Sequence, residues 1–231
     1  MDGQLPSEVI SMRGVSSCAM GDDQSFGLDD AYAVETPDDS RRLYAKWAET
    51  YDDEFIAAND YRYHREVARV LVADGIPDGT VLDVGCGTGQ VGRALVEVGV
   101  TDIDGIDISR EMLERAAATG IYGALTEADL TLPLAMPDGR YAAVISAGTF
   151  THGHLPPDPL AELIRIIEPG GRAVVGINVA HFDELGFAAW LDRAVDQDHI
   201  SPYATEVVPV YARSDPANPN EMSRVVTFSV P

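Results

Sequence analysis

Three alternate glycines stand in Asp83-Val84-Gly85-Cys86-Gly87-Thr88-Gly89, directly after an apolar run. Glycine at such a place lets a strand turn sharply into a helix and lets the backbone approach a ligand with no Cβ in between. That is the chemistry of a nucleotide-type site, since a bare βα turn needs one glycine rather than three. Gly87-Thr88-Gly89-Gln90-Val91-Gly92 also fits the G-x-G-x-x-G expression for dinucleotides, and Asp107 follows the loop by about twenty residues, where a ribose-binding acid would stand. On that expression alone the chain reads as an NAD(P)-dependent oxidoreductase. Three features oppose it. Asp83, two residues before Gly85, suits a cationic amino group and would repel a pyrophosphate, which wants neutral amides. The single lysine, Lys46, has Arg42 four residues upstream, so a Tyr-x-x-x-Lys catalytic pair is absent. The C-terminal strands, taken up below, are unlike a second dinucleotide half.

Phe150-Thr151-His152-Gly153-His154 supplies the other titratable pair. Imidazole changes charge near neutral pH, so His152 or His154 suits a general base, and equally a polar contact that shapes a substrate site. Alternate histidines can also hold a metal, but no third ligand of suitable spacing is nearby, and no metal is expected.

These groups need a scaffold. Leu43, Trp47, Tyr51 and Phe55 recur with a helical period behind the capping candidates Asp38-Asp39-Ser40, and a second helix covers residues 61–73. After the breaker Gly75-Ile76-Pro77-Asp78-Gly79, strand and helix patterns alternate: strands at 80–84, 103–108, 122–128, 141–146 and 172–178, helices at 90–98, 110–119 and 159–167. Alternation of this kind makes βαβ units and a parallel sheet. A helix over 182–195 is followed by two β-rich runs, 203–212 and 222–230, joined by a Pro/Asn/Asp-rich loop that suits an antiparallel pair. The expected organisation is an acidic mobile leader (1–37), an N-terminal helical cap (38–75) and one α/β domain (76–231).

Composition narrows the partners. The 231 residues carry 38 acids against 16 bases, a formal charge of −22, which repels phosphate backbones and anionic headgroups. Neither nucleic acid nor a membrane is expected as a partner. Cys18 and Cys86 alone make no disulfide framework or Cys-rich metal site. No apolar run of membrane-spanning length and no secretory signal is visible, so a cytoplasmic location is expected.

Val81 to Gly92 resembles motif I of class I S-adenosylmethionine-dependent methyltransferases. Other parts of that pattern follow in order: Asp107 after strand two, Met112 on the next helix, Glu127-Ala128-Asp129-Leu130 after strand three, Ile145-Ser146-Ala147-Gly148, and Glu168-Pro169-Gly170-Gly171 before strand five. Leu43 to Asp52 and Gly120-Ile121-Tyr122-Gly123 are further similar to the Williams-Beuren-region methyltransferase-like group. The resemblance implies a Rossmann-like, mostly parallel seven-stranded sheet with helices on both faces. It implies S-adenosyl-L-methionine as cofactor, held by Tyr44, Tyr51, Asp83, Gly85, Cys86, Gly87, Thr88, Asp107, Ile108, Met112, Asp129, Leu130 and Ser146. Within it Asp107 takes the ribose, Met112 packs on the adenine, Asp129 reads the adenine amino group, and Tyr51 lies over the methionine end. The acceptor is expected to be a small molecule, reached past His152 and His154, on a monomer or homodimer. A catalytically silent cofactor-binding module has the same sequence signature.

Overall fold

The computed structural model describes residues 36–51, 56, 60–151 and 155–231. Residues 1–35 of the proposed leader and both loop histidines, His152 and His154, lie outside them, whereas its last two residues, Thr36 and Pro37, belong to the start of α1. Along the chain the elements are α1 (Pro37–Trp47), α2 (Tyr63–Leu71), β1 (Val81–Val84), α3 (Gln90–Glu97), β2 (Ile103–Asp107), α4 (Arg110–Ala118) and β3 (Leu125–Glu127). They continue with β4 (Tyr141–Phe150), α5 (Leu160–Ile166), β5 (Ile167–Asn178), α6 (Val179–Glu184), α7 (Phe187–Asp196), β6 (Ala204–Pro209) and β7 (Met222–Ser229). None of the described helices is long and apolar enough to cross a membrane.

The seven strands form one sheet in the order β3-β2-β1-β4-β5-β7-β6. The first five run parallel, and β7 is antiparallel to both of its neighbours. Every residue of β1 and β2 is buried, as strands covered on both faces must be. Alternation along β1 sorts the core into two layers. Leu82 and Val84 pack with Leu160, Leu163 and Ile166 of α5 and with Phe187 and Leu191 of α7. Val81 packs on the opposite face with Val67 and Leu71 of α2 and Val91 and Leu95 of α3. Helix α2 is thus part of the sheet's own cover rather than a cap set apart from it.

Four local expectations are corrected. Helix α1 starts earlier than expected: Thr36, not residues 38–40, is the N-cap, closing a capping box with Asp39 ahead of Pro37. Pro169-Gly170-Gly171 does not precede β5 but forms an irregularity inside it, because Ile167 already pairs with Tyr141 before Arg172 pairs with Ala143. Strand β4 runs on to Phe150, with a second register shift after Ser146. The single helix expected over 182–195 is two, broken at Gly186, whose φ of +72° is costly for any residue with a Cβ.

The sheet order reverses between β1 and β4, and at that point the loops leaving the carboxyl ends of neighbouring strands diverge. A crevice at such a switch point is where open α/β sheets bind ligands.

Candidate functional site

A cleft of about 900 Å³, counting space open to solvent, occupies the switch point. Gly85 and Gly87 after β1, Ile106, Asp107 and Ile108 at the end of β2, and Met112 on α4 form one wall. Ala128 to Thr131 after β3 close one end, and Ala147, Gly148 and Thr149 of β4 with Leu155 form the facing side. Pro37, Ser40 and Tyr44 of α1, with Tyr51 and Tyr61, complete the lining.

The glycine loop hangs from β2, since the Gly85 and Cys86 amides both donate to the Ile106 carbonyl, at 2.8 and 2.9 Å. A Cβ on Gly85 would collide with the Thr149 hydroxyl, so the first glycine permits close approach of the loop to β4. Gly87 is different: its φ is +53° and no protein atom lies within 4 Å of where a Cβ would be. Space above Gly87 belongs to the cleft. The Gly87 amide donates to Asp107 Oδ2 at 2.8 Å and the Ser109 amide to Asp107 Oδ1 at 2.9 Å. One carboxylate therefore holds the loop and the start of α4 while its edge faces the cleft. Burial raises the Asp107 pKa, opposed by the amides of Ser109, Gly87 and Ile108.

At the far end, Asp129 Oδ1 accepts from the Thr131 amide and hydroxyl, and Oδ2 from Arg41 on α1 at 2.9 Å. Partial burial pushes the Asp129 pKa up, but the Thr131 bonds and Arg41 outweigh it and hold the carboxyl below its usual value. The ion pair fastens α1 across this end of the cleft. Tyr44 and Tyr51 approach edge to face at 6.5 Å, and Trp47, only 1% exposed, packs beside them in the core.

Of the residues named from sequence, Tyr44, Tyr51, Gly85, Gly87, Asp107, Ile108, Met112, Asp129 and Leu130 line this cleft. Four others are not among its lining residues. Ser146 is fully buried and donates to the Val84 carbonyl at 2.9 Å, tying β4 to β1. Cys86 packs downward with Leu113 and Ala116, and burial pushes its thiol pKa far up. Thr88, 3% exposed, is turned into the protein. Asp83 shares the layer of Val81 and accepts from the Tyr122 hydroxyl at 2.7 Å on Oδ2, whereas Oδ1 has no hydrogen-bond partner. The reason is the period of two in β1, which sends this side chain to the α3 layer below the loop. Sequence reasoning passed over Ser40, Tyr61, Thr131 and Thr149. Thr131 follows Asp129 by two residues and Thr149 follows the quoted Ser146-Ala147-Gly148, whereas nothing local marks Ser40 or Tyr61.

Asp83 makes a pH prediction. Burial pushes its pKa to about 7, with Asp107 adding to the rise and the Tyr122 hydroxyl and Gly92 amide opposing it. A folded pKa above the unfolded value means stability is fully present below about pH 4 and is lost as pH rises to about 7. Asp83→Asn cannot ionise, so its thermal stability should gain on wild type across that window by about 2 to 4 kcal/mol. Melting curves at pH 4.5 and 8 that show no change in the gap would refute the assignment.

Residues 81–171 match a methyltransferase domain family. Human methyltransferase-like protein 27 is 36% identical over 141 residues, which cover 58% of this chain and 57% of that protein. Over this stretch the chain carries a methyltransferase domain similar to those of the class I S-adenosylmethionine-dependent methyltransferases. Demethylmenaquinone methyltransferase of Symbiobacterium thermophilum is 32% identical over 146 residues, 58% of this chain and 57% of its own. Ribosomal protein L11 methyltransferase of Laribacter hongkongensis is 32% identical over 117 residues, 49% and 38%. Magnesium protoporphyrin IX methyltransferase of Synechocystis, solved with S-adenosylmethionine bound, shares the fold, with a TM-score of 0.62 at 20% identity, covering 86% of this chain and 99% of its own. The matched stretch spans little more than half of the first two relatives.

S-adenosylmethionine is the cofactor of these methyltransferases, and the residues present fit it. Gly87 opens on empty space where a Cβ would intrude, and the carboxylates of Asp107 and Asp129 stand where hydroxyl and amino donors would meet them.

Proposed function

We propose that this methyltransferase transfers the methyl group of S-adenosylmethionine to a small-molecule acceptor that enters between α1, Tyr61 and the segment after β4. The observation that carries the reading is Asp107, pinned by the amides of Gly87 and Ser109 at the edge of the glycine loop. A carboxylate so fixed can accept from a vicinal diol at no further cost in side-chain entropy. The cofactor supplies an already activated methyl on a sulfonium, so the chain has to orient, exclude water and, where the acceptor is weakly acidic, take a proton.

Each part of the lining has a place in that task. Asp107 accepts from the ribose, Met112, Ile108 and Leu130 give the adenine an apolar bed, and Asp129 accepts from its amino group while shared with Arg41. Gly85 and Gly87 leave room for the methionine portion, and Tyr44 and Tyr51 shield it from the α1 side. Thr149 and Leu155 both line the cleft and bracket His152 and His154 in sequence, which supports either histidine as the base or as an acceptor contact. The named activity of the demethylmenaquinone relative supports a small acceptor.

Titration calorimetry with S-adenosylhomocysteine, and with NAD in a separate cell, tests the cofactor: binding of the first and not the second is expected, and the reverse overturns the reading. Transfer of labelled methyl to a panel of small quinols, amines and thiols, against ribosomal protein as the macromolecular arm, tests the acceptor. With an acceptor in hand, His152→Ala should leave cofactor affinity within about twofold and lower turnover by roughly 10² if His152 is the base. Turnover surviving both His152→Ala and His154→Ala from about pH 6 to 9 would leave alignment as the whole mechanism.

A further inference from the structure

Below the glycine loop, on the side away from the cleft, lies Tyr122, in the segment between α4 and β3. Its backbone is fixed on both flanks: the Ile121 amide donates to Thr119 Oγ1 at 3.2 Å and the Gly123 amide to the Ile103 carbonyl at 2.7 Å. Its ring lies in a slot made by three glycines from three elements. A Cβ on Gly89 would stand 3.3 Å from Cε2, one on Gly105 of β2 would stand 3.0 Å from Cδ1, and one on Gly92 of α3 would collide with the hydroxyl itself. The ring also packs with Cys86 inside the loop. At the bottom of the slot the hydroxyl donates to Asp83.

This accounts for a residue the cofactor site does not use. Gly92, the last glycine of the dinucleotide-like expression, is absent from the cleft and instead clears space for the Tyr122 hydroxyl. We infer that Tyr122 is a positioning residue, which braces the Gly85–Gly89 loop from beneath through its ring in the glycine slot and its hydroxyl on Asp83, and so sets the Gly87 amide on Asp107. The inference rests on the cofactor reading above for its consequence in binding, but not for its consequence in the loop itself.

The arrangement does its work through geometry. Tyr122 touches Gly89 at the loop's exit, and Asp83 precedes its entrance by two residues, so the ring and the bond together fix both ends of the turn. Buried polar groups in such a contact are expensive to leave unpaired. Removing the hydroxyl takes from the buried Asp83 carboxylate its one side-chain donor, with Oδ1 already without a hydrogen bond, and the turn is free to shift to relieve it.

The test uses the full chain and Tyr122→Phe, which keeps the ring. S-adenosylhomocysteine should bind about tenfold more weakly, and amide exchange at Gly87 in the ligand-free protein should quicken by about tenfold, with exchange in the β5–β7 ladder unchanged. A purely structural role would instead move the ladder with the loop. Gly92→Ala, which displaces the hydroxyl from the other side, should reproduce both effects, and adding Tyr122→Phe to it should cost less than about twofold more, as partners in one contact do. Affinity and Gly87 exchange both unchanged in Tyr122→Phe, or additive effects of the two substitutions, would overturn the inference. If the wild type bound no S-adenosylhomocysteine but Tyr122→Phe still loosened Gly87, the cofactor reading would fail and the brace would stand.

Discussion

Gly87→Val is expected to abolish S-adenosylhomocysteine binding, with affinity lost beyond calorimetric detection, while the protein stays folded. The two parts of that outcome come from one geometry. At φ +53° a β-branched residue is strained by about 1 to 2 kcal/mol, which lowers the melting temperature by several degrees without unfolding the domain. The space beyond the Cβ holds no protein atom, so the isopropyl group meets no neighbour inside the protein and fills the cleft. Should the backbone relax away from the left-handed region, the Gly87 amide leaves Asp107, and the loop is lost by another route. Gly186→Val is the control: it imposes the same strain at φ +72° between α6 and α7, also without a steric neighbour, and should leave binding intact. Binding retained by Gly87→Val would move the ligand away from this loop altogether.

Asp107→Ala is expected to weaken S-adenosylhomocysteine by about 2 to 3 kcal/mol, roughly 30- to 150-fold, as charge-assisted bonds to the ribose disappear. Its effect does not stop at the ligand. The same substitution leaves the Gly87 and Ser109 amides without their acceptor, so thermal stability should fall in the ligand-free protein as well. Asp107→Asn separates the contributions, since one amide keeps an oxygen to bond and the charge is gone. Affinity equal to wild type in folded Asp107→Ala would refute the ribose assignment.

The scaffold was legible because its signals are local and repeated. A strand buried on both faces, a glycine turn and an amphipathic helix each announce themselves within ten residues, and the parallel order follows from their alternation. What escaped were outcomes decided by partners far along the chain. Pro169-Gly170-Gly171 reads as a turn by composition, but pairing of Ile167 with Tyr141 draws it into β5. Asp83 and Ser146 carry the residue types of ligand contacts, and only the direction of each Cβ shows that one serves Tyr122 and the other the Val84 carbonyl. Tyr61 enters the cleft through tertiary pairing and packing with Tyr211, far along the chain, which no local window of sequence contains. The glycine expression was the most instructive ambiguity: its spacing fits two cofactor classes, a packing role for Gly92 suits either, and it is the similarity to methyltransferases that favours one of them.

The strand order β5-β7-β6 also bears on how the molecule is assembled in time. Strand β6 is made before β7, yet pairs with nothing in the sheet except β7. A nascent chain that has produced everything through residue 209 therefore has its glycine loop, Asp107 and the five parallel strands, but one border of β5 is still bare and β6 has no strand to pair with. Residues 222–229 act as a keystone, seating two strands by their own insertion. Closure of this half of the sheet thus waits until residues 222–229 have been made, and an open hydrogen-bonding border on β5 is a hazard the chain carries until then.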